Sequence, residues 1–500
     1  MSAEEGQTRK SFIVDVVTTA ALQLVAKARG IILLPIIVRA GNDALYGTWS
    51  MLYGLVALLV PLANLSIHQS LLRYAASLSS EAARHLFRRT LLFSAAVSTA
   101  VAALLFVALS TLGVEHANQL LGGYATPAVL LFTCLQVPLS ALVRTNSAFL
   151  RSRGHVALGQ VSELAAQFFA TLAAAVVFLI GLGLGTAQGV VSLVFAIHVL
   201  ATGATAISRP SRHEGTLQTQ PETRTLLAFA LPFIPSSISD WLLFLSDRYL
   251  VALFFGAGSA GVYAAAYALA QGVQMVSYPV EYALTPMLPR LWDQGRREEA
   301  ARYISGSLRI SVGLLLAAIG TLTPIAGDVL GGLGSPEMRA QGARLVPVIC
   351  LGMLSLSFAR TSSLVLLVDG KGSTVTRSVG IVAALNLALN LVLVPRMGAL
   401  GAALTTFLAY AIYAGLIVRR ARPLVPRLFH PGQLVGMIGA AAVAGACLLP
   451  SPSTLSSRLL QSTAFVVVYG VLCLVFRAVS IGELAALVRQ ARALARSRVA

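Results

Sequence analysis

Apolar runs long enough to cross a bilayer recur from about residue 12 to residue 479, separated by short polar stretches. A helix rises ~1.5 Å per residue, so ~20 apolar residues cover the hydrocarbon core. Such runs fall at about 12–38, 45–68, 88–112, 122–143, 157–181, 187–207, 226–255, 259–289, 304–324, 343–368, 374–395, 399–419, 433–450 and 459–479. With 57% hydrophobic and 11% charged residues, the chain cannot hide its side chains in one soluble core. Soluble domains carry roughly 25% charged residues. The pattern predicts an all-α integral membrane protein of about 14 transmembrane helices, with no long stretch left for a soluble domain.

The net charge of +18 does not point to nucleic acid, because the cations sit in short loops between the apolar runs. One alternating set of loops, together with both termini, holds Arg84, Arg88, Arg89, Arg151, Arg153, Arg209, Arg212, Arg296, Arg297, Lys371, Arg419, Arg420 and Arg422. The opposite set holds Arg39, Arg339, Arg344, Arg396 and Arg458. Cytoplasmic loops are the Lys/Arg-rich ones, so both termini are predicted to be cytoplasmic. The polar start followed by an uncleaved apolar run predicts a retained first span. Cys134, Cys350, Cys447 and Cys473 lie in apolar runs without CxxC spacing, as packing residues do.

The polar stretch Ser208–Arg224 divides the chain into two parts that echo each other. Leu45-Tyr46-Gly47 opens the second span and Gly261-Val262-Tyr263 the eighth. Arg153-Gly154-His155 precedes the fifth span and Lys371-Gly372-Ser373 the eleventh. The echo is six spans apart, which predicts two six-helix bundles related by a pseudo-two-fold along the membrane normal. The expected divisions are a bundle over 1–207, a cytoplasmic linker over 208–225 and a second bundle over 226–420. Two extra C-terminal helices over 421–480 and an amphipathic cytoplasmic tail over 481–500 follow. The tail carries Leu484, Leu487, Val488, Ala491 and Leu494 on one face, a pattern suited to an anionic lipid surface.

Ionisable residues at bilayer depth cost at least ~2.5–3.5 kcal/mol near a helix centre and mark functional sites by default. Helical rise puts Lys27 and Arg29 roughly 22–26 Å along the first span, Asp240 about 21 Å along the seventh, Arg360 about 25 Å along the tenth and His198 about 16 Å into the sixth. Asp247 and Arg248 fall nearer the outer end of the seventh span, and Glu281 nearer the inner end of the eighth. Asp240 and Asp247 are seven apart and share a helical face with Ser236 and Ser237. Arg248 is expected to snorkel. Lys27, Arg29 and Arg360 lie too deep to do so, and three cations against one mid-depth carboxylate suit an anion such as phosphate. Pro232, Pro235, Pro279, Pro286 and Pro289 mark expected bends in the seventh and eighth spans, as do Pro35, Pro61 and Pro138 in the first part.

No enzymatic or metal-binding motif emerges. Gly370-Lys371-Gly372-Ser373-Thr374 lacks the GxxxxGK[ST] spacing, and Gly181-Leu182-Gly183-Leu184-Gly185 fails GxGxxG. There is no HExxH or GxSxG. The chain reads as a non-enzyme without a cofactor.

Three stretches carry a family resemblance. One combines Leu231-Pro232, Leu245-Ser246-Asp247-Arg248 and Gly261-Val262-Tyr263 with Ala266-Tyr267. A second holds Asn386, Asn390, Pro395, Gly398 and Gly401, and a weaker third is Ala44-Leu45-Tyr46-Gly47. Together with the span count, they resemble bacterial polysaccharide (Wzx-type) flippases of the MOP exporter superfamily over essentially the whole chain. The resemblance implies a flippase in the bacterial inner membrane that moves undecaprenyl-pyrophosphate-linked oligosaccharide outward by alternating access, for O-antigen, capsule or exopolysaccharide assembly. The expected partners are that lipid-linked oligosaccharide and membrane lipids, with the polysaccharide polymerase and chain-length machinery as further candidates and no nucleic acid. Lys27, Arg29 and Arg360 are the candidate pyrophosphate cations. Asp240, Asp247 and His198 are candidates for H+ or Na+ coupling or for pairing in the cavity, and Arg248 and Glu281 for gate or anchor. A cation-coupled multidrug exporter of the same superfamily is the alternative, followed by a membrane glycan polymerase or ligase.

Overall fold

A computed structural model describes residue 30 and residues 32–211, 215–425, 428–429, 431–447 and 454–476. These residues are helical throughout, without a strand. In chain order the helices are α1 (32–40), α2 (Asp43–Ala63), α3 (His68–Tyr74), α4 (Ser80–Leu112), α5 (Val114–Leu120), α6 (Pro127–Ser152), α7 (Val156–Leu179) and α8 (Leu184–Ser208). There follow α9 (Thr223–Ala230), α10 (Phe233–Gln274), α11 (Tyr278–Asp293), α12 (Arg297–Leu322), α13 (Ala326–Leu333), α14 (Pro336–Val368), α15 (Gly372–Met397), α16 (Ala399–Ala421), α17 (Pro431–Cys447) and α18 (Leu455–Val475). Among the described residues, 11 stretches are long and apolar enough to cross a membrane. One of them, Thr223–Gln274, has length for two crossings, and α17 is a shorter apolar helix. The predicted first span, with Lys27 and Arg29, lies mostly outside the described residues, as does the tail over 481–500.

The helix boundaries follow local chemistry. Asn42 caps α2 by accepting from Leu45 N at 3.0 Å, and Thr126 caps α6 with Pro127 just inside. In the gap between the apolar runs 226–255 and 259–289, Gly256 has φ 81 and ψ 166 and interrupts α10. A side chain is disfavoured at that φ, so glycine ends one crossing and starts the next. Of the prolines expected to bend helices, Pro232 and Pro279 fall at helix ends, whereas Pro61, Pro138, Pro235, Pro286 and Pro289 lie inside helices. Leu231-Pro232 separates α9 from α10, and residues 275–277 form a turn just ahead of Pro279, at the start of α11.

The described chain forms two compact units. The first contains the residues up to Ala268, with Gly332–Met338 and Val379–Thr405. Within it α6 packs against α2, α3, α4, α7 and α8. Phe87 stacks on Phe149 at 4.3 Å between ring centroids, in a core with Leu71, Leu150, Ala206 and Leu226. The polar stretch after α8 is tied to this unit. Ser79 N donates to Leu217 O at 2.9 Å and Leu217 N to Ser77 O at 3.1 Å. Arg89 reaches Pro221 O, and Ser70 Oγ donates to Leu226 O at 2.5 Å. Arg153, expected as a loop cation, is instead buried, donating to the Ala75 and Leu78 carbonyls at 3.0 Å each.

The two echoing glycine motifs meet inside this unit. A Cβ on Gly261 would lie 2.0 Å from Asp43 O, and one on Gly47 would lie 2.1 Å from Ala257 O. Backbone packs on backbone here, as small residues permit between membrane helices. Gly261→Leu is therefore expected to cost well over the ~1–3 kcal/mol typical of overpacking. The check is the yield of monodisperse protein and its unfolding temperature in detergent, and both should fall.

The second unit holds Leu269–Gly331, Arg339–Ser378 and the described residues from Thr406 onward. Here α17 and α18 pack on α12 through Val312, Leu316, Met437, Ala440, Phe465 and Tyr469. Arg458 pairs with Asp328 at 2.8 Å, and Ser462 Oγ donates to Thr321 O at 2.8 Å. Large apolar side chains on the long helices stand exposed, including Leu104, Leu200 and Leu460, each at 70% or more. That surface suits lipid and would be a liability in water.

Candidate functional site

In the first unit, the crossing of α10 ahead of Gly256 carries Asp247 into a buried polar network. Asp247 is 1% exposed. Its Oδ2 accepts from Tyr263 Oη and its Oδ1 from Asn390 Nδ2, each at 2.8 Å. Thr405 Oγ1 donates to Asn390 Oδ1 at 2.6 Å, and Asn390 Nδ2 lies 3.1 Å from Asn386 Oδ1. Asn386 and Asn390 stand four apart on α15, so both amides project from one face. Asn386, Asn390 and Thr405 are fully buried. The Tyr263 and Asn390 contacts of the Asp247 carboxylate are donors, a phenolic O–H and an amide N–H, which compensate its burial. Among the described residues no group of three His, Cys, Asp or Glu side chains gathers to hold a metal.

Arg248, next to Asp247, does not snorkel. Its Nη1 donates to Ser50 Oγ at 2.9 Å and its guanidinium lies 5.3 Å from the Tyr267 ring centroid. Cation–π contact and one hydroxyl hold the charge inside the unit. Tyr249 Oη donates to Met51 O, and Trp241 Nε1 to Gly54 O at 2.8 Å. Arg248 thus belongs to a row of polar ties between α10 and α2. Asp240, two turns before Asp247, is exposed. His198, on α8, is half-buried, its Nε2 without a hydrogen-bond partner among the described residues.

In the second unit Arg360 and Glu281 come together, a pairing the sequence reading did not anticipate. Arg360 Nε stands 3.7 Å from Glu281 Oε2. The Arg360 side chain is 47% exposed and that of Glu281 13%. Ser357 Oγ donates to Glu281 Oε1 at 3.0 Å, with Ser277 Oγ at 3.4 Å. The Arg360 guanidinium lies 5.8 Å from the Tyr278 ring centroid. Pro279 fixes the start of α11 and so places Glu281 in its first turn, where a carboxylate is favoured by the helix dipole.

The weak phosphate-loop look-alike resolves into a turn. Gly370 has φ 76, and Lys371 Nζ pairs with Asp369 at 2.8 Å. The Lys371 ammonium holds the Asp369 carboxyl below the usual carboxylate range.

Comparison with known proteins converges on one family. Residues 13–292, more than half of the chain, match the polysaccharide biosynthesis protein family. The chain belongs to that family. Residues 232–392 of this polysaccharide biosynthesis family member also match the MatE family. Among solved structures it is similar to the lipid II flippase MurJ in an inward closed conformation, at 13% identity and TM-score 0.65, over 92% of this chain and 98% of that one. It is similar to an inward-facing multidrug resistance MATE family transporter of the MOP superfamily, at 14% identity and TM-score 0.59, over 83% and 98%. A MOP superfamily transporter from Pyrococcus furiosus matches at 14% identity and TM-score 0.55, over 83% and 94%. No curated protein matches in sequence. The family member thus shares the fold of these proteins and, with 11 described stretches long and apolar enough to cross a membrane, is a multi-pass membrane protein.

Proposed function

We propose that the protein flips undecaprenyl-pyrophosphate-linked oligosaccharide from the inner to the outer face of the bacterial inner membrane by alternating access, for O-antigen, capsule or exopolysaccharide assembly. The observation that carries this reading is the polysaccharide biosynthesis match over residues 13–292, on a fold shared with a lipid II flippase. Arg360 supports it as a half-exposed guanidinium in an apolar helix, a donor fork suited to phosphate oxygens. Lys27 and Arg29, the other candidate cations, lie outside the described residues. Both termini face the cytoplasm in this reading, and the polysaccharide polymerase and chain-length machinery are candidate partners.

An inside-negative potential drives an anion outward at ~2.3 kcal/mol per charge per 100 mV. A diphosphate with two charges would gain roughly 4–5 kcal/mol per 100 mV, so no ATP is needed. Asp247 is the candidate for additional H+ or Na+ coupling, because it is a buried carboxylate within a network of polar side chains. Asp240 and His198 are secondary candidates.

The test is glycan export in a deletion strain. The combined Lys27→Ala, Arg29→Ala and Arg360→Ala variant, expressed at normal level, should abolish export. Undiminished export would sink the assignment of these cations. The MatE match over 232–392 favours a second reading, a cation-coupled multidrug exporter. That reading predicts drug sensitivity on deletion with surface glycan intact, and the flippase reading predicts the reverse.

A further inference from the structure

The Arg360–Glu281 pair is asymmetric. Glu281 is the fixed partner. Its side chain is 13% exposed, its Oε1 is bound by Ser357 at 3.0 Å, and Ser277 and Ser357 are both fully buried. Ser277 and Ser357 are themselves 3.0 Å apart, so the hydroxyls brace each other as well as the carboxylate. Arg360 is the loose partner, 47% exposed, with its Nε 3.7 Å from the carboxylate and Tyr278 beside it as a further hydrogen-bond partner. A committed guanidinium–carboxylate pair is shorter, about 2.7–2.9 Å, and usually bidentate. The charge of Arg360 is therefore compensated without its donor fork being used up.

We infer that Glu281 is a built-in competitor for Arg360 that sets the headgroup selectivity of the site, admitting diphosphates and rejecting singly charged phosphates. The inference rests on the reading of Arg360 as a headgroup cation. A bacterial membrane holds a large excess of monoanionic phospholipid headgroups over any lipid-linked sugar. A bare arginine at this depth would bind them. With Glu281 in place, an incoming headgroup must outcompete a carboxylate that is already present and held by two serines. A phosphodiester offers one negative charge, no more than Glu281 does. A diphosphate offers about two charges and more acceptor oxygens, enough to draw the guanidinium across. Glu281 stays solvated by the serine hydroxyls when Arg360 leaves, which lowers the cost of releasing it.

The test uses the full-length protein in nanodiscs of neutral lipid, titrated with a fluorescent short-chain prenyl-diphosphate sugar and the corresponding prenyl-phosphate sugar, a singly charged phosphodiester. Wild type should prefer the diphosphate by tenfold or more. Glu281→Gln, which keeps the shape and the serine contacts, should tighten phosphodiester binding and bring the two ligands within about threefold. Phosphatidylglycerol added to the discs should then compete with the probe for this variant and not for wild type. Glu281→Asp, which keeps the charge, should restore the preference, an outcome that a purely structural role for Glu281 would not produce. Ser357→Ala, which loosens the carboxylate, should lie between. An unchanged preference in Glu281→Gln, alongside loss of all binding in Arg360→Gln, overturns the selectivity role and leaves the headgroup reading standing. Undiminished diphosphate binding in Arg360→Gln overturns the headgroup reading itself.

Discussion

Asp247→Asn should leave a folded protein whose transport no longer responds to a proton or sodium gradient, with the rate falling at least about tenfold. The carboxylate accepts two buried hydrogen bonds, from Tyr263 and Asn390. Interhelical hydrogen bonds in membrane proteins have measured couplings averaging ~0.6 and reaching ~1.7 kcal/mol. Losing both thus costs roughly 1–3 kcal/mol, below the 5–15 kcal/mol typical of a folded chain. Asparagine also keeps one acceptor oxygen in place. A folded, inactive variant would separate a coupling role from a structural one. The measurement is uptake into proteoliposomes with imposed pH and sodium gradients, beside an unfolding curve in detergent. A variant that still responds to either gradient as wild type does would remove Asp247 from the coupling role.

Arg360→Gln is expected to weaken binding of a prenyl diphosphate by about 10- to 100-fold. A hydrogen bond to a charged group contributes ~1.5–3 kcal/mol, and each 1.4 kcal/mol is tenfold. Arg360→Lys keeps the charge and loses the planar fork, so it should fall between the two. Removing the guanidinium alone also leaves the Glu281 carboxylate without its cation, which is destabilising in itself. The double variant Arg360→Gln with Glu281→Gln avoids that cost. If the double variant is stable and still fails to bind, the loss belongs to the missing phosphate contact.

Much of the fold was legible because a bilayer imposes a simple rule on sequence. Most described spans overlap an expected apolar run, the turn at Gly256 falls in the gap between two of them, and the run at 259–289 is split at 275–277. The Leu45-Tyr46-Gly47 and Gly261-Val262-Tyr263 motifs were visible as echoes. That they pack against each other was not, because sequence similarity says nothing of contact. The same limit hid the partners of Asp247. Asn386 and Asn390, four apart in an apolar run, were the available signal, but Asp247 and Asn390 stand 143 positions apart and meet only through tertiary structure. Nor could the sequence bring Glu281, in the eighth span, to Arg360, in the tenth. Arg248 was expected to snorkel because hydropathy cannot see the Ser50 hydroxyl and Tyr267 ring that hold it. Arg153 shows the reverse error, a loop cation that turned inward to bind the Ala75 and Leu78 carbonyls.

The most direct test of the flippase assignment is movement of a fluorescent undecaprenyl-pyrophosphate-linked saccharide across proteoliposomes, read by a quencher that reaches one leaflet. Wild type should speed the transfer at least about tenfold over empty vesicles, and Arg360→Gln should return it to the empty-vesicle rate. Transfer by wild type no faster than in empty vesicles, with the same preparation carrying an organic cation down an imposed gradient, would contradict the account.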